Sequence, residues 1–266
     1  MGGYETGKKA VAVLLAGLCM AMACPVASFA EEEASHIGII GAMEEEVAFL
    51  KENMDLEEVV SASGMDYYVG KIGETPAIIV QCGVGKVNAG ICTQTLIREF
   101  NVSKVINTGV AGSLDDEIDI GDIVVSTDAV QYDFDVSILG FEKGEIPYTG
   151  LYAFPADEDL QETAKAAIEE AAPEVSAFSG RVCSGDQFVY LTEQKDAIVD
   201  SFDGMCCEME SGAIAQVCYL NDVPYVILRA ISDKPDGSEE IEYEVFKDEA
   251  AERSAKVVLK MVELLG

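Results

Sequence analysis

Histidine, tryptophan and basic residues are scarce in this chain of 266 residues. It has one histidine, His36, and no tryptophan. A single histidine excludes mechanisms that need two, including the HExxH zinc site. Lys and Arg number 17 against 49 Asp and Glu, which gives a formal net charge of −32. So acidic a chain, without a basic run, is a poor candidate for binding DNA, RNA or an anionic membrane surface.

The eight cysteines show neither a CxxC motif nor the spacing of metal ligands. Two of them lie near the N-terminus, and the other six sit in or beside apolar runs. Buried free thiols are the favoured interpretation, although an oxidising compartment would leave disulfides open. The six are Cys82, Cys92, Cys183, Cys206, Cys207 and Cys218.

The first 30 residues have the three parts of a secretory signal. Lys8 and Lys9 form a basic start, and residues 10–23 form an apolar stretch too short for a comfortable membrane span. Residues 28–30 (Ser-Phe-Ala) fit the small-x-small cleavage rule. We therefore predict that the segment is cleaved and the protein exported, with an uncleaved anchor or lipid attachment at Cys24 as alternatives.

Residues 31–266 are interpreted as one domain, because no repeat, linker or long charge block divides them. Apolar runs alternate in them with helical patterns, which predicts an α/β fold with a parallel or mixed sheet covered by helices. The predicted strands are 36–41, 77–81, 104–107, 123–126, 181–183, 205–208 and 225–229. Five helices are predicted. One starts near 43, one runs from the glycine-rich loop 82–86 to about 100, one spans 157–172, one follows 210, and one closes the chain from about 243.

Ligands in such sheets sit beyond the carboxyl ends of the strands, and acids occupy three of those places. Helical spacing puts Glu46 beside an apolar stripe, where a carboxylate is costly unless it is paired or used. Glu208 and Glu210 flank Met209 after an apolar run and would share one face of a strand. As an alternative, Glu210 could simply cap a helix.

An apolar strand also carries Arg229 and ends at Ser232-Asp233. A buried arginine needs a carboxylate partner, which Glu46 or Glu210 could supply; Asp233 could otherwise be a capping residue. Paired carboxylates suit glycosidic hydrolysis, in which one protonates the leaving group and another deprotonates water. The loops 83–86 and 108–114 are weaker signals, and the first lacks the spacing of a P-loop.

Seven segments, in order, resemble the 5′-methylthioadenosine/S-adenosylhomocysteine nucleosidases of the purine nucleoside phosphorylase superfamily. The resemblance runs from about Ile37 to the C-terminus, so residues 31–266 are interpreted as a nucleosidase domain. The segments are GIIGAMEEEV (38–47), CGVGKVNAG (82–90), VINTGVAGSL (105–114), GDIVVS (121–126), SGDQFV (184–189), CEMES (207–211) and RAISD (229–233).

The resemblance implies a three-layer α/β/α fold with a mixed central sheet, in a homodimer. It implies hydrolysis of the bond between adenine and ribose in methylthioadenosine and S-adenosylhomocysteine, and in 5′-deoxyadenosine as a further candidate. No cofactor or metal is implied, and the partner is a small nucleoside. Glu46 then corresponds to the base that activates water, and Asp233 to the acid that protonates the purine. Glu210, aided by Met209, corresponds to the ribose contact, and Arg229 to the arginine near Glu46.

The same resemblance supplies the walls of the site. Phe188 corresponds to the aromatic ring that stacks on adenine, and the backbone of Val189 to the contact with its edge. Further wall positions are Ala42, Met43, Val84, Val110, Ala111, Gly112 and Ser232.

Three positions depart from the family pattern. Val110 stands where a serine is frequent, and Tyr243 where a phenylalanine often closes the pocket. Leu139 replaces an aromatic that the partner subunit offers to the 5′ substituent, although nearby Pro147 matches. These changes leave the preferred 5′ substituent open.

Three alternative functions follow from the residues. A purine nucleoside phosphorylase would need a phosphate cradle, normally of several arginines, and strict phosphate dependence would identify it. A nucleosidase for a related nucleoside, such as aminofutalosine, would emerge from a substrate panel. An exported binding protein would bind adenosine analogues without releasing adenine.

Overall fold

The computed structural model describes residues 35–234 and 239–266. The predicted signal segment, with Cys19 and Cys24, lies outside the described residues. Within them, no helix is long and apolar enough to cross a membrane. All six cysteines of the domain are buried and free, as predicted.

Ten strands and six helices alternate along the described chain. The strands are β1 (His36–Gly41), β2 (Asp55–Ala62), β3 (Met65–Ile72), β4 (Thr75–Gln81), β5 (Val102–Ser113), β6 (Ile123–Gln131), β7 (Phe154–Pro155), β8 (Ala177–Ser184), β9 (Cys206–Glu208) and β10 (Tyr225–Asp233). The helices are α1 (Glu44–Glu52), α2 (Lys86–Glu99), α3 (Glu158–Ala171), α4 (Thr192–Phe202), α5 (Ser211–Leu220) and α6 (Glu239–Leu265).

The strands form one mixed sheet, as predicted. Its order is β10-β6-β8-β9-β5-β1-β4-β3-β2, with β7 beside β6. β10 also pairs in parallel with β5, so β5, β10, β6, β8 and β9 close into a ring. β1 and β4 continue the sheet in parallel from β5, and β3 and β2 extend it as antiparallel strands.

Helices cover both faces of the sheet because strand side chains alternate between two cores. Ile39 packs in the core that α1, α3 and α6 complete, whereas its neighbour Ile40 packs in the core completed by α2 and α5. The three-layer architecture expected from the resemblance is therefore confirmed.

One predicted loop is wrong. Residues 108–114 look like a turn because of their glycines, but β5 continues through Ser113. Gly109 pairs with Arg229 and Gly112 with Cys207, so both edges of this segment are hydrogen-bonded within the ring. A Cβ added at Gly109 would collide with the side chains of Glu46 and Arg229. The glycine thus permits close packing inside a strand.

Other differences concern element ends and missed elements. The strands β2, β3 and β7 and the helix α4 were not predicted. The helix predicted at 157–172 is shorter by one residue at each end. At its start, Asp157 is the N-cap residue and accepts a hydrogen bond from the Leu160 N–H at 3.0 Å. β9 begins at Cys206, and β10 runs four residues beyond its predicted end, to Asp233.

Candidate active site

A cavity of about 200 Å³ opens at the carboxyl ends of β1, β5, β9 and β10. It brings together fourteen of the seventeen residues predicted for the site; Arg229, Leu139 and Pro147 are not in its lining. The residues that line it are Ala42, Met43, Glu46, Val84, Val110, Ala111, Gly112, Gln187, Phe188, Val189, Cys207, Glu208, Met209, Glu210, Ser232, Asp233 and Tyr243.

Glu46 lies in the first turn of α1 and is buried with its carboxylate held by three backbone N–H groups. Oε2 accepts from Ala42 at 2.6 Å and Met43 at 2.9 Å, and Oε1 accepts from Val110 at 3.0 Å. Burial raises the pKa of Glu46, and the positive charge of Arg229 together with these donors opposes that rise. Glu46 therefore caps the start of α1 through the Met43 N–H, but it does so from a buried and fixed position rather than as a solvated side chain.

Arg229 is fully enclosed, and its nearest acid is Glu208 rather than Glu46 or Glu210. Its Nη2 donates to Glu208 Oε2 at 2.7 Å and lies 4.0 Å from Glu210 Oε2. The same nitrogen donates to Asn107 Oδ1 at 2.7 Å. The arginine thus lies behind the cavity wall and acts on the site through the acids that it contacts.

Glu208 is one of three lining residues, with Gln187 and Cys207, that were not predicted for the site from the sequence. Its Oε2 accepts from Arg229, from the Ser211 hydroxyl at 2.8 Å and from the N–H groups of Glu210 and Ser211. Its other oxygen accepts from the Ser184 hydroxyl. Burial acts to raise the pKa of Glu208, but Arg229 and these donors outweigh burial and hold it below its ordinary value. The need of a buried arginine for an acid was the available signal.

Glu210 does not share a strand face with Glu208, because β9 ends at Glu208 and Glu210 is the N-cap residue of α5. Its Oε1 accepts from the Gly85 N–H at 2.8 Å. Burial, reinforced by the negative charge of Glu208, raises the pKa of Glu210 to about 8. Burial and the neighbouring carboxylate therefore favour the protonated form of Glu210.

Asp233 is buried at the carboxyl end of β10. Its Oδ1 accepts a hydrogen bond of 2.6 Å from the Ser232 hydroxyl. The substitution of serine by valine at position 110 therefore leaves Asp233 with a hydroxyl partner. Val110 contributes its backbone N–H to Glu46 instead.

The aromatic side of the cavity is formed by Phe188 and Tyr243. Their rings meet edge to face, with centroids 5.6 Å apart, and the Tyr243 hydroxyl lies 3.3 Å from the sulfur of Met43. Phe188 is 46% exposed, which leaves its ring surface accessible to a flat ligand. Tyr243 thus bridges α6 to the start of α1 at the cavity mouth.

Leu139 and Pro147 lie between β6 and β7, outside the lining of this chain's own cavity. Leu139 ends a short 3₁₀ turn, Ser137–Leu139, and is 71% exposed.

Acidic side chains supply all the ionisable carboxyl groups of the cavity, without basic ones beside them in the described lining. Its lining includes Glu46, Glu208, Glu210 and Asp233, and none of the described lining residues is Lys, Arg or His. Outside the lining, Arg229 is paired with Glu208 and Lys86 with Asp133. Because its described lining has no cations, the cavity provides no cradle for a phosphate dianion, and its carboxyl groups suit a ligand that becomes cationic.

Comparison with known proteins agrees with this geometry. The profile of the phosphorylase superfamily matches residues 36–263. The chain is 42% identical over 231 residues to the 5′-methylthioadenosine/S-adenosylhomocysteine nucleosidase of Staphylococcus carnosus, an alignment that covers 86% of this chain and 100% of that protein. This chain belongs to that nucleosidase family. The family and fold expected from the sequence are thereby confirmed.

Solved structures place the nucleosidase among close relatives. The Neisseria meningitidis nucleosidase in complex with methylthio-immucillin-A superposes with a TM-score of 0.83 at 36% identity, covering 86% of this chain and 99% of that one. The Helicobacter pylori futalosine hydrolase superposes with a TM-score of 0.82 at 33% identity, covering 87% and 98%.

Proposed function

We propose that this nucleosidase hydrolyses the N-ribosidic bond of 5′-methylthioadenosine and S-adenosylhomocysteine, releasing adenine and the 5′-substituted ribose. One observation carries the proposal: Glu46 and Asp233, from opposite ends of the sequence, line one cavity in which no described residue is a cation. That arrangement provides a base for water and an acid for the leaving base without a phosphate cradle.

In the proposed reaction, the oxygen of water attacks C1′ and the bond from C1′ to the purine nitrogen breaks. Glu46 takes a proton from water, and the bonding electrons leave with the purine. Asp233 gives a proton to the imidazole ring of the purine, so that adenine leaves as a neutral molecule. The cation-like ribosyl transition state is stabilised by the surrounding carboxylates.

The remaining wall residues hold the substrate. Glu210 contacts the ribose hydroxyls beside Met209, where its protonated form can donate a hydrogen bond and its ionised form can accept two. Phe188 stacks on adenine, and the backbone of Val189 contacts its edge. Binding of these remote parts orients C1′ toward water.

A futalosine hydrolase among the structural neighbours supports a second candidate substrate, a nucleoside of the futalosine type. The experiment is a panel of methylthioadenosine, S-adenosylhomocysteine, 5′-deoxyadenosine and aminofutalosine, with adenine measured by chromatography. We expect the first two to give the highest kcat/KM. Preference for aminofutalosine would reassign the substrate, and binding without adenine release would establish a binding protein.

The nucleosidase is proposed to act as a homodimer in which each subunit offers Leu139 and Pro147 to the 5′ pocket of the other. The exposure of Leu139 supports this arrangement. Analytical ultracentrifugation tests it, together with Leu139→Ala, which should raise KM for methylthioadenosine. A monomer with full activity would contradict the proposal.

The nucleosidase is also proposed to be exported, on the strength of the N-terminal segment alone. Fractionation of producing cells, with mass spectrometry of the mature N-terminus, tests this. Protein starting at Met1 and confined to the cytoplasm would contradict it.

A further inference from the structure

Three residues outside the catalytic set connect the two loops that border the cavity. The first loop, residues 82–86, carries Val84 into the cavity lining and ends at Lys86, the first residue of α2. The second loop, residues 185–191, carries Gln187, Phe188 and Val189 into the lining. The connection between these loops decides how far apart the two walls stand.

Lys86, Asp133 and Asp186 contact one another in a closed triangle. The Lys86 ammonium group forms an ion pair with Asp133 Oδ1. The backbone N–H of Lys86 donates to Asp186 Oδ1, and the backbone N–H of Asp186 donates to Asp133 Oδ2, both at 2.9 Å. Each residue therefore fixes the other two, although they come from three separate segments of the chain.

Asp186 also serves as the cap of a helix to which it does not belong. The N-cap residue of α2 is Gly85, which has no side chain to cap with. Its φ of 102° favours glycine, and a Cβ there would lie 3.3 Å from Asp186 Oδ1. A carboxylate at this helix N-terminus is favourable. The approach of the second loop to the first thus depends on this glycine.

The triangle reaches the sugar side of the cavity through a single residue. The N–H of Gly85, adjacent to Lys86, donates to Glu210 Oε1. Glu210 is the proposed ribose contact, and Phe188, two residues after Asp186, is the proposed adenine contact. A shift of either loop therefore changes the separation between the groups that hold the two halves of the nucleoside.

We propose that Lys86, Asp133 and Asp186 form a loop clamp that positions the ribose-side and adenine-side walls for binding, without taking part in the chemistry. The inference rests on the proposed function for its substrate. Its role is in binding, so its loss acts on KM and on the affinity for adenine rather than on kcat.

Two variants test the clamp, Lys86→Met and Asp133→Asn, with the double variant. Loss of a partly exposed ion pair weakens binding by a factor of up to about five. We therefore expect each single variant to raise KM for methylthioadenosine by about that factor and to change kcat by less than about twofold. Because the two residues act as a pair, the double variant should raise KM no further than either single one. Lys86→Arg keeps the positive charge, so its KM should stay close to that of the wild type.

A matched control is Lys195→Met. Lys195 forms an ion pair with Asp116, and its side chain is 13% exposed against 16% for Lys86, but neither Lys195 nor Asp116 lines the cavity. We expect its KM to equal that of the wild type. This control separates loss of the clamp from loss of any half-buried lysine.

Calorimetric titration with adenine gives a second readout that needs no turnover. Lys86→Met should weaken adenine binding about as much as it raises KM. If the wild type binds adenine but cleaves no nucleoside, the proposed function fails while the clamp is still tested. Unchanged adenine affinity and KM in Lys86→Met and Asp133→Asn, with only a lower melting temperature, would overturn the clamp. Additive effects in the double variant would overturn it too.

Discussion

Arg229 and Glu208 form a buried ion pair, with 2.7 Å between Nη2 and Oε2, directly behind the proposed ribose contact. Two further acids, Glu46 and Glu210, also feel the charge of this arginine. One cation thus serves three carboxyl groups. Glu208, which accepts a hydrogen bond from Arg229, is held ionised. Burial raises the pKa values of Glu46 and Glu210.

The first prediction concerns this pair. Glu208→Gln leaves Arg229 buried without its carboxylate, so we expect the free energy of unfolding to fall by about 3–5 kcal/mol. Adding Arg229→Met removes the uncompensated charge and should recover part of that loss. Denaturant unfolding of the two single variants and the double variant measures this. Purely additive losses would show that the two side chains are not coupled.

The second prediction concerns Glu210 and pH. Its pKa is about 8 in the folded protein against an ordinary value of 4.5, so between these values the folded state holds a proton that the unfolded state has lost. This contribution to stability is complete below pH 4.5 and disappears as the pH rises through about 8. Its slope is at most about 1.4 kcal/mol per pH unit.

Glu210→Gln is neutral at every pH and lacks that contribution. Relative to this variant, the wild type should therefore lose stability steadily as the pH rises from about 5 to about 8. Urea unfolding at a series of pH values provides the comparison. Parallel curves for the two proteins would mean that the pKa of Glu210 is not raised.

The third prediction concerns the proposed acid. Asp233→Asn keeps the size of the side chain and removes its proton, so turnover of methylthioadenosine should fall by a factor of at least about 100. Adenine affinity, measured by calorimetry, should change far less, which separates the chemical step from binding. Turnover equal to that of the wild type would remove the assignment.

The fourth prediction concerns the orientation of that acid. Ser232 donates to Asp233 Oδ1 and would stabilise the carboxylate that forms as this acid gives up its proton, so Ser232→Ala should lower kcat by about tenfold. Val110→Ser adds a hydroxyl where this acid already has one, and kcat should stay within about threefold. Steady-state kinetics of both variants decides the matter. A large gain from Val110→Ser with no loss from Ser232→Ala would reverse the roles of the two positions.

Much of this site could be predicted because each acid follows an apolar run that had to become a buried strand. Asp233 was found in that way, whereas Glu46 was found by its helical spacing beside an apolar stripe. The acid that pairs with Arg229 was not predicted, because its position depends on strand register. Glu208 pairs with Ser184 across β8 and β9, and in that position it contacts Arg229. The closure of β5 against β10 also escaped prediction, since residues 108–112 have the composition of a turn and become a strand only when paired on both edges.

The most direct test of the central claim, hydrolysis in a carboxylate-lined cavity, is to identify the sugar product with and without phosphate. Purified protein is incubated with methylthioadenosine in phosphate-free buffer and in phosphate buffer, and the products are separated by chromatography with mass detection. Hydrolysis predicts adenine and unphosphorylated methylthioribose at the same rate in both. Adenine release only in phosphate, with a sugar 1-phosphate as product, would contradict it.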